Sequence, residues 1–151
     1  MLKLNNPGNI RLSAVSFRGE VRPSSHPSFC QFQTMADGYR AMFVIIRTYM
    51  RKYGLTTIDG IISRWAPPME NETRSYIDTV AYLSGINAYR SLTFCKHDLV
   101  PVVSAMSFVE NGKKLGQNPV CDFFDIFCAL SSFLKPESKL AGICQSLNIE
   151  I

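Results

Sequence analysis

Apolar side chains recur along much of the chain at steps of three and four residues, which places them on one face of an α-helix. This spacing predicts a first helix over 36–53, with a cap at Ala36–Asp37 and a stop at Gly54. The second helix must end at Ala66, because Pro67 and Pro68 cannot continue it. Further helices are predicted from Asn71 or Thr73 to Leu83 and over 97–109, 120–134 and 137–147.

The first 36 residues follow a different pattern and are rich in Pro, Asn, Ser and Gly. Two segments, 10–17 and 28–34, are predicted to be extended, and 18–27 is predicted to be the loop of an irregular hairpin. Five to six helices with one small hairpin indicate a fold that is α+β, mainly α. The length of 151 residues suits a single domain over 1–151.

Composition and charge narrow the classes of partner and cofactor. The net charge is +4 and the basic residues are dispersed, so no nucleic-acid partner is predicted. No apolar stretch is long enough for a membrane helix or a signal peptide, so we predict no membrane partner and synthesis in the cytoplasm. The five cysteines form no C-x-x-C pair, which predicts free, buried thiols, no metal site and no cofactor.

Glu110 is the main candidate for chemistry. It ends a strongly apolar predicted helix and is followed by Asn111 and Gly112. A carboxylate is disfavoured at the C-terminal end of a helix, and apolar neighbours would raise its pKa. A general acid that protonates a glycosidic oxygen needs such a shift. The alternative is a solvated surface glutamate that precedes a glycine cap.

A second group lies around the proline turn that follows Trp65. Its aromatic side chains could stack on sugar rings, and its polar side chains could bind hydroxyl or N-acetyl groups. The alternative is structural, with an asparagine cap, acidic residues at a helix start and a core tryptophan. The candidate substrate-binding residues of this group are Trp65, Glu70, Asn71, Thr73 and Tyr76.

A third group lies near the N-terminus, where loop amides and an arginine could line a cleft. The alternative is a tight turn that anchors the chain. The candidate substrate-binding residues here are Asn6, Asn9 and Arg11, with Tyr39 at the start of the first predicted helix.

Several ordered blocks resemble a family of phage virion-associated lytic proteins of the lysozyme-like, lytic transglycosylase superfamily. The blocks are NNPGNIR from Asn5, DGYRAM from Asp37, TIDGIISRWAP from Thr57 with the following EN.T..YI, and AMSFVENG from Ala105. The resemblance implies a lysozyme-like fold that acts on peptidoglycan. The helix that ends in Glu110 follows the other parts, whereas it precedes them in soluble lytic transglycosylases. This order indicates a circular permutation.

The resemblance also implies a reaction, namely cleavage of the bond between N-acetylmuramic acid and N-acetylglucosamine with Glu110 as acid and base. A transglycosylase needs no second carboxylate, whereas a muramidase usually does, and Glu20 and Glu70 are the options. The alternatives are a peptidoglycan endopeptidase and a non-catalytic glycan-binding or structural virion protein. The expected partners are peptidoglycan and components of a virion or secretion machine that would carry the protein to the cell wall.

Overall fold

The computed structural model describes residues 2–69, 71–112, 120, 123–125 and 127. A short 3-10 helix, Leu2–Leu4, is followed by the strands β1 (Glu20–Val21) and β2 (Gln31–Phe32). Four α-helices follow, α1 (Met35–Lys52), α2 (Ile58–Trp65), α3 (Thr73–Ser84) and α4 (Lys96–Asn111). The prediction of an α+β, mainly α fold is therefore confirmed.

The described residues form two compact units. The N-terminal unit comprises residues 2–44, 123–125 and 127, and the helical unit comprises residues 45–69, 71–112 and 120. That the whole chain is one domain remains a prediction. Among the described residues, no helix combines the length and the apolar character that crossing a membrane requires.

The sheet of the N-terminal unit differs from the predicted hairpin. The strands β1 and β2 pair antiparallel, with Glu20 opposite Phe32. The predicted strand over 10–17 is wrong, because within it only Arg11 forms a bridge, with Phe29. Strand β1 instead lies inside the segment that was predicted to be the loop.

Side-chain hydrogen bonds explain the position of β1. The carboxylate of Glu20 accepts from the backbone N–H of Phe17 at 2.8 Å and from Nε of Arg22 at 2.9 Å. Arg22 also donates to the carbonyl oxygens of Ser13 and Val15, at 2.8 and 2.7 Å. These bonds close a turn before β1 and engage two carbonyls that a longer strand would need for its ladder.

Helix α1 begins at a cap that differs from the predicted one. The hydroxyl of Thr34 accepts from the backbone N–H of Asp37 at 3.1 Å and donates to its carboxylate at 2.9 Å. Thr34 is therefore the N-cap of α1, so the prediction of a cap at Ala36–Asp37 is corrected by two to three residues.

Aromatic side chains fill the core of the N-terminal unit. Phe43 contacts the rings of Phe124 and Phe127, with centroids 5.0 and 5.9 Å apart. Both partners are buried, so they belong to this core. Residues 120, 123–125 and 127 are helical, in agreement with the fifth predicted helix, whereas the rest of that helix and the sixth one lie outside the described residues.

The helical unit agrees closely with prediction, since its helices begin and end at local signals. The hydroxyl of Thr57 caps α2 by accepting from the backbone N–H of Gly60 at 3.0 Å. Helices α3 and α4 end at Gly85 and Gly112, which adopt the left-handed conformation that glycine tolerates. Helix α3 packs against both α2 and α4, and this packing positions the candidate site.

Candidate active site around Glu110

Three side chains from three helices meet at the end of α4. Glu110 lies in the last turn of that helix, and its Oε1 atom accepts from Nε1 of Trp65 at 3.3 Å and from the hydroxyl of Tyr76 at 3.1 Å. Trp65 is the last residue of α2, and Tyr76 lies in the first turn of α3. The structure therefore brings together the candidate acid and two of the five candidates around the proline turn.

The phenol of Tyr76 is a permanent donor in this cluster. Its side chain is buried, and this burial together with the negative charge of Glu110 holds the pKa of Tyr76 well above its usual range. The Tyr76 hydroxyl therefore stays protonated at neutral pH and donates to Glu110. Trp65 and Glu110 are only half-buried, so solvent reaches part of both side chains.

The two donors of this cluster bind the same oxygen of the Glu110 carboxyl group. Both the indole and the phenol donate to Oε1, and an indole N–H cannot accept. These two bonds come from α2 and α3, so the packing of three helices fixes the orientation of the Glu110 side chain.

Two further candidates brace the proline turn that follows Trp65. The buried hydroxyl of Thr73 donates to the carbonyl of Ala66, and the amide of Asn71 donates to the carbonyl of Pro67 at 3.2 Å. These bonds fix the path of the chain from α2 to α3. Glu70 lies outside the described residues.

Among the N-terminal candidates, Asn6 and Tyr39 require a correction. Asn6 is fully buried, and its amide donates to the carbonyls of Ile10 and Cys30 while accepting from the N–H of Ile10, each at 2.9 Å. Tyr39 is also fully buried, and its ring stacks on Phe123 at 5.3 Å. Neither side chain is accessible to a substrate, because Asn6 anchors the turn and Tyr39 belongs to the core.

The other two N-terminal candidates stay closer to the surface. Arg11 is exposed, and its guanidinium lies 5.7 Å from the centre of the Phe29 ring. Asn9 is partly exposed and adopts a positive φ of 48°. Their roles in substrate binding remain predictions.

The N-terminal end of α4 carries a second carboxylate, that of Asp98, and an ion pair with Arg90 holds it in place. Asp98 is buried and accepts from Nη2 of Arg90 and from the backbone N–H of Thr93, both at 2.8 Å. The hydrogen bond from Arg90 lowers the pKa of Asp98, with a further contribution from the backbone of Thr93. Asp98 therefore ties the preceding loop to the start of α4.

Metal and thiol chemistry find little support in the described part of the chain. There, no group of three or more His, Cys, Asp and Glu side chains could hold a metal ion. Cys30 is a free buried thiol, and its burial raises its pKa to about 12. Because the thiolate is the reactive form, Cys30 is a poor nucleophile. Cys95 is a free, partly exposed thiol, and Cys121, Cys128 and Cys144 lie outside the described residues.

Taken together, the fold and the site define a mainly helical protein with a half-buried glutamate held between an indole and a phenol. No family model matches the chain. The chain is 42% identical over 114 residues to protein P5 of Pseudoalteromonas phage PM2, a match that covers 74% of this chain and 70% of the relative. The chain therefore belongs to the family of that phage protein. The name P5 states no activity, so the function must be argued from the site.

Proposed function

We propose that this protein is a peptidoglycan-cleaving glycosidase with Glu110 as its general acid and base. The observation that carries the proposal is the meeting of Glu110, Trp65 and Tyr76 at the C-terminal end of α4. A half-buried carboxyl beside a partly exposed indole combines a proton donor with an aromatic surface suited to a sugar ring. The relative is a phage protein, and because a phage must breach the bacterial cell wall, such an activity would suit that setting.

The proposed reaction begins with proton transfer from Glu110 to the oxygen between N-acetylmuramic acid and N-acetylglucosamine. The bond from C1 of the muramyl residue to that oxygen breaks, and the oxygen leaves as a hydroxyl group. The C6 hydroxyl of the same muramyl residue then attacks C1 and gives its proton to the Glu110 carboxylate. The products are an anhydromuramyl end and a free hydroxyl, so no water is consumed and the acid is regenerated.

This transglycosylase route is preferred over hydrolysis because it needs one carboxyl group. Of the two partners considered for a hydrolase, Glu20 has both carboxylate oxygens engaged by Phe17 and Arg22 in the turn before β1. Glu20 thus already has a structural role. We further propose a lysozyme-like arrangement in permuted order, and delivery to the wall in a virion or during lysis.

The test is digestion of purified sacculi by the full chain and by Glu110→Gln. Glutamine keeps an oxygen that can accept from Trp65 and Tyr76, but it cannot donate an acid proton. We expect the release of soluble fragments to fall by about 10²- to 10⁴-fold. A matched control is Glu72→Gln, which removes an exposed carboxylate at the start of α3 whose side chain makes no cap hydrogen bond.

Mass spectrometry of the products separates the alternatives. Anhydromuropeptides support the transglycosylase, reducing sugar ends indicate a muramidase, and split stem peptides indicate an endopeptidase. If Glu110→Gln releases fragments as fast as the unmodified chain, Glu110 is not the acid. If the unmodified chain binds sacculi and releases nothing, the protein is a glycan-binding or structural component.

A further inference from the structure

A second surface feature lies on α3 and α4, two of the three helices that form the Glu110 cluster. It is an open groove with a volume of about 530 Å³, lined mainly by α3 and by Phe108 of α4. The residues that α3 contributes include Ser75, Asp78, Thr79 and Tyr82. They recur at steps of three and four residues, so they share one helix face. We call this feature the α3 groove.

The aromatic side chain of the α3 groove is unusually open to solvent. Tyr82 is 85% exposed, although most tyrosines bury much of their ring. Phe108, on the neighbouring helix, offers a second, partly exposed ring. A planar apolar ring that stands free beside polar groups is suited to stacking against the face of a sugar.

The polar groups of Asp78 and Thr79 both lie about one helical turn from Tyr82. Asp78 can accept hydrogen bonds, and Thr79 has a hydroxyl that already donates to the carbonyl of Ser75 at 2.9 Å and so offers its lone pairs. One turn of helix rises about 5.4 Å, comparable to the advance of one pyranose unit along a β-1,4 glycan. The spacing therefore suits successive sugars of an extended strand.

The charges of the α3 groove distinguish a glycan from other polymers. Arg74 and Asp78 form an ion pair at 2.8 Å, so the two charges nearly cancel. A nucleic-acid site requires an excess of positive charge, and a stable protein interface requires a larger apolar core. A balanced surface with exposed aromatic rings and hydroxyls fits an uncharged polysaccharide strand better than either.

We propose that the α3 groove is an accessory glycan-binding site, in which Tyr82 stacks on one sugar ring while Asp78 and Thr79 accept hydrogen bonds from hydroxyl groups of the next sugar. The expected ligand is a strand of β-1,4-linked N-acetylated amino sugars. This inference rests on the proposed function for the identity of the glycan. It adds a place where the strand is held outside the Glu110 cluster.

The test is cosedimentation with purified sacculi and titration with the hexamer of N-acetylglucosamine, in a Glu110→Gln background that prevents digestion. Tyr82→Ala should weaken binding roughly tenfold, the effect of losing one good aromatic contact. Tyr82→Trp should restore the binding. Tyr53→Ala, which removes a 44% exposed tyrosine outside the α3 groove, should bind like its parent.

The outcomes separate this proposal from the proposed function. If Tyr82→Ala binds sacculi as tightly as its parent, or if the parent binds neither probe, the α3 groove is not a glycan site. If Tyr82→Ala loses binding while the chain with Glu110→Gln alone still digests sacculi, the α3 groove stands and the role of Glu110 falls. Circular dichroism should show unchanged helix content in Tyr82→Ala, since an exposed side chain contributes little to folding.

Discussion

Helix α4 carries one acidic side chain near each end, and the two are held in opposite ways. Asp98 lies in the first turn, where a negative charge is favoured, and it is paired with the guanidinium of Arg90 at 2.8 Å. Glu110 lies in the last turn, where a negative charge is disfavoured, and it accepts hydrogen bonds from two uncharged donors, Trp65 and Tyr76.

The difference shows how one chemical group can serve either stability or reaction. The partners of Asp98 stabilise its charged form, so protonation would weaken the hydrogen bonds that hold the start of α4. The bonds from Trp65 and Tyr76 orient Glu110 without themselves forming an ion pair, so they do not depend on a charge on the carboxyl group in the way that the Arg90 pair does. A carboxyl group that must lose and regain a proton during a reaction is therefore better placed at the C-terminal end of α4.

The largest effect on stability is expected from Asp98, at the N-terminal end of α4. Asp98→Asn loses the ion pair with Arg90 and weakens the bond from Thr93, and hydrogen bonds to charged groups contribute ~1.5–3 kcal/mol. Because Arg90 is 47% exposed, its share is partly screened, and we expect a loss of about 2 kcal/mol in the free energy of unfolding, measured with urea. Activity on sacculi should persist well below the melting temperature.

Two comparisons sharpen this prediction. Glu110→Gln should change the free energy of unfolding by less than about 1 kcal/mol, since it keeps an acceptor and relieves the helix dipole. Asp78→Asn, which breaks an exposed ion pair, should change it by less than about 0.5 kcal/mol. If Glu110→Gln is destabilised as much as Asp98→Asn, Glu110 is a structural residue like Asp98.

A smaller effect is expected from the donor that positions Glu110. Tyr76→Phe keeps the buried ring and removes the hydroxyl that reaches Oε1 at 3.1 Å. We expect a loss of about 1 kcal/mol in stability and a fall in kcat with KM little changed, because the acid becomes less well oriented. A shift of the pH profile of kcat should accompany the change.

A purely structural role for Tyr76 would give a different result. If Tyr76→Phe loses stability while kcat and the pH profile stay as they were, Tyr76 holds helices together and does not position the acid. Tyr53→Phe, which removes the hydroxyl of a 44% exposed tyrosine outside the α3 groove, is a matched control. It should leave the pH profile of kcat unchanged.

The sequence predicted the helices of the helical unit well because their limits depend on nearby residues. Thr57, Pro67, Gly85 and Gly112 act within one turn of their own position, so no knowledge of packing is needed. The strand prediction was wrong because the alternation of apolar residues does not show which polar side chains bond to the backbone. Strand β1 follows a turn that Glu20 and Arg22 close with residues two to nine positions away, and the polar pattern of that segment is also typical of a loop.

The site was predictable in part. Glu110 was predicted from its place at the end of an apolar helix, and Trp65 and Tyr76 were predicted from the aromatic and polar side chains around the proline turn. The bonds among them join residues 45 and 34 positions apart, so they depend on how α2, α3 and α4 pack. The buried amide of Asn6 was mistaken for an exposed loop amide, because an Asn-Pro-Gly turn has the same sequence in either setting. Tyr82 was missed because no pattern in the sequence marks a tyrosine as exposed.

The smallest predicted effect is the acid dependence of the Asp98 contribution. The pKa of Asp98 is lowered in the folded chain, so its contribution to stability is complete above the ordinary aspartate pKa and is lost as the pH falls toward the folded value. The difference in unfolding free energy between the unmodified chain and Asp98→Asn should therefore be constant near neutral pH. It should narrow by about half a kcal/mol or less at pH 4 and further below that. A difference that stays constant down to pH 3 would mean that Asp98 acts through its shape rather than its charge, and the contrast between the two ends of α4 would disappear.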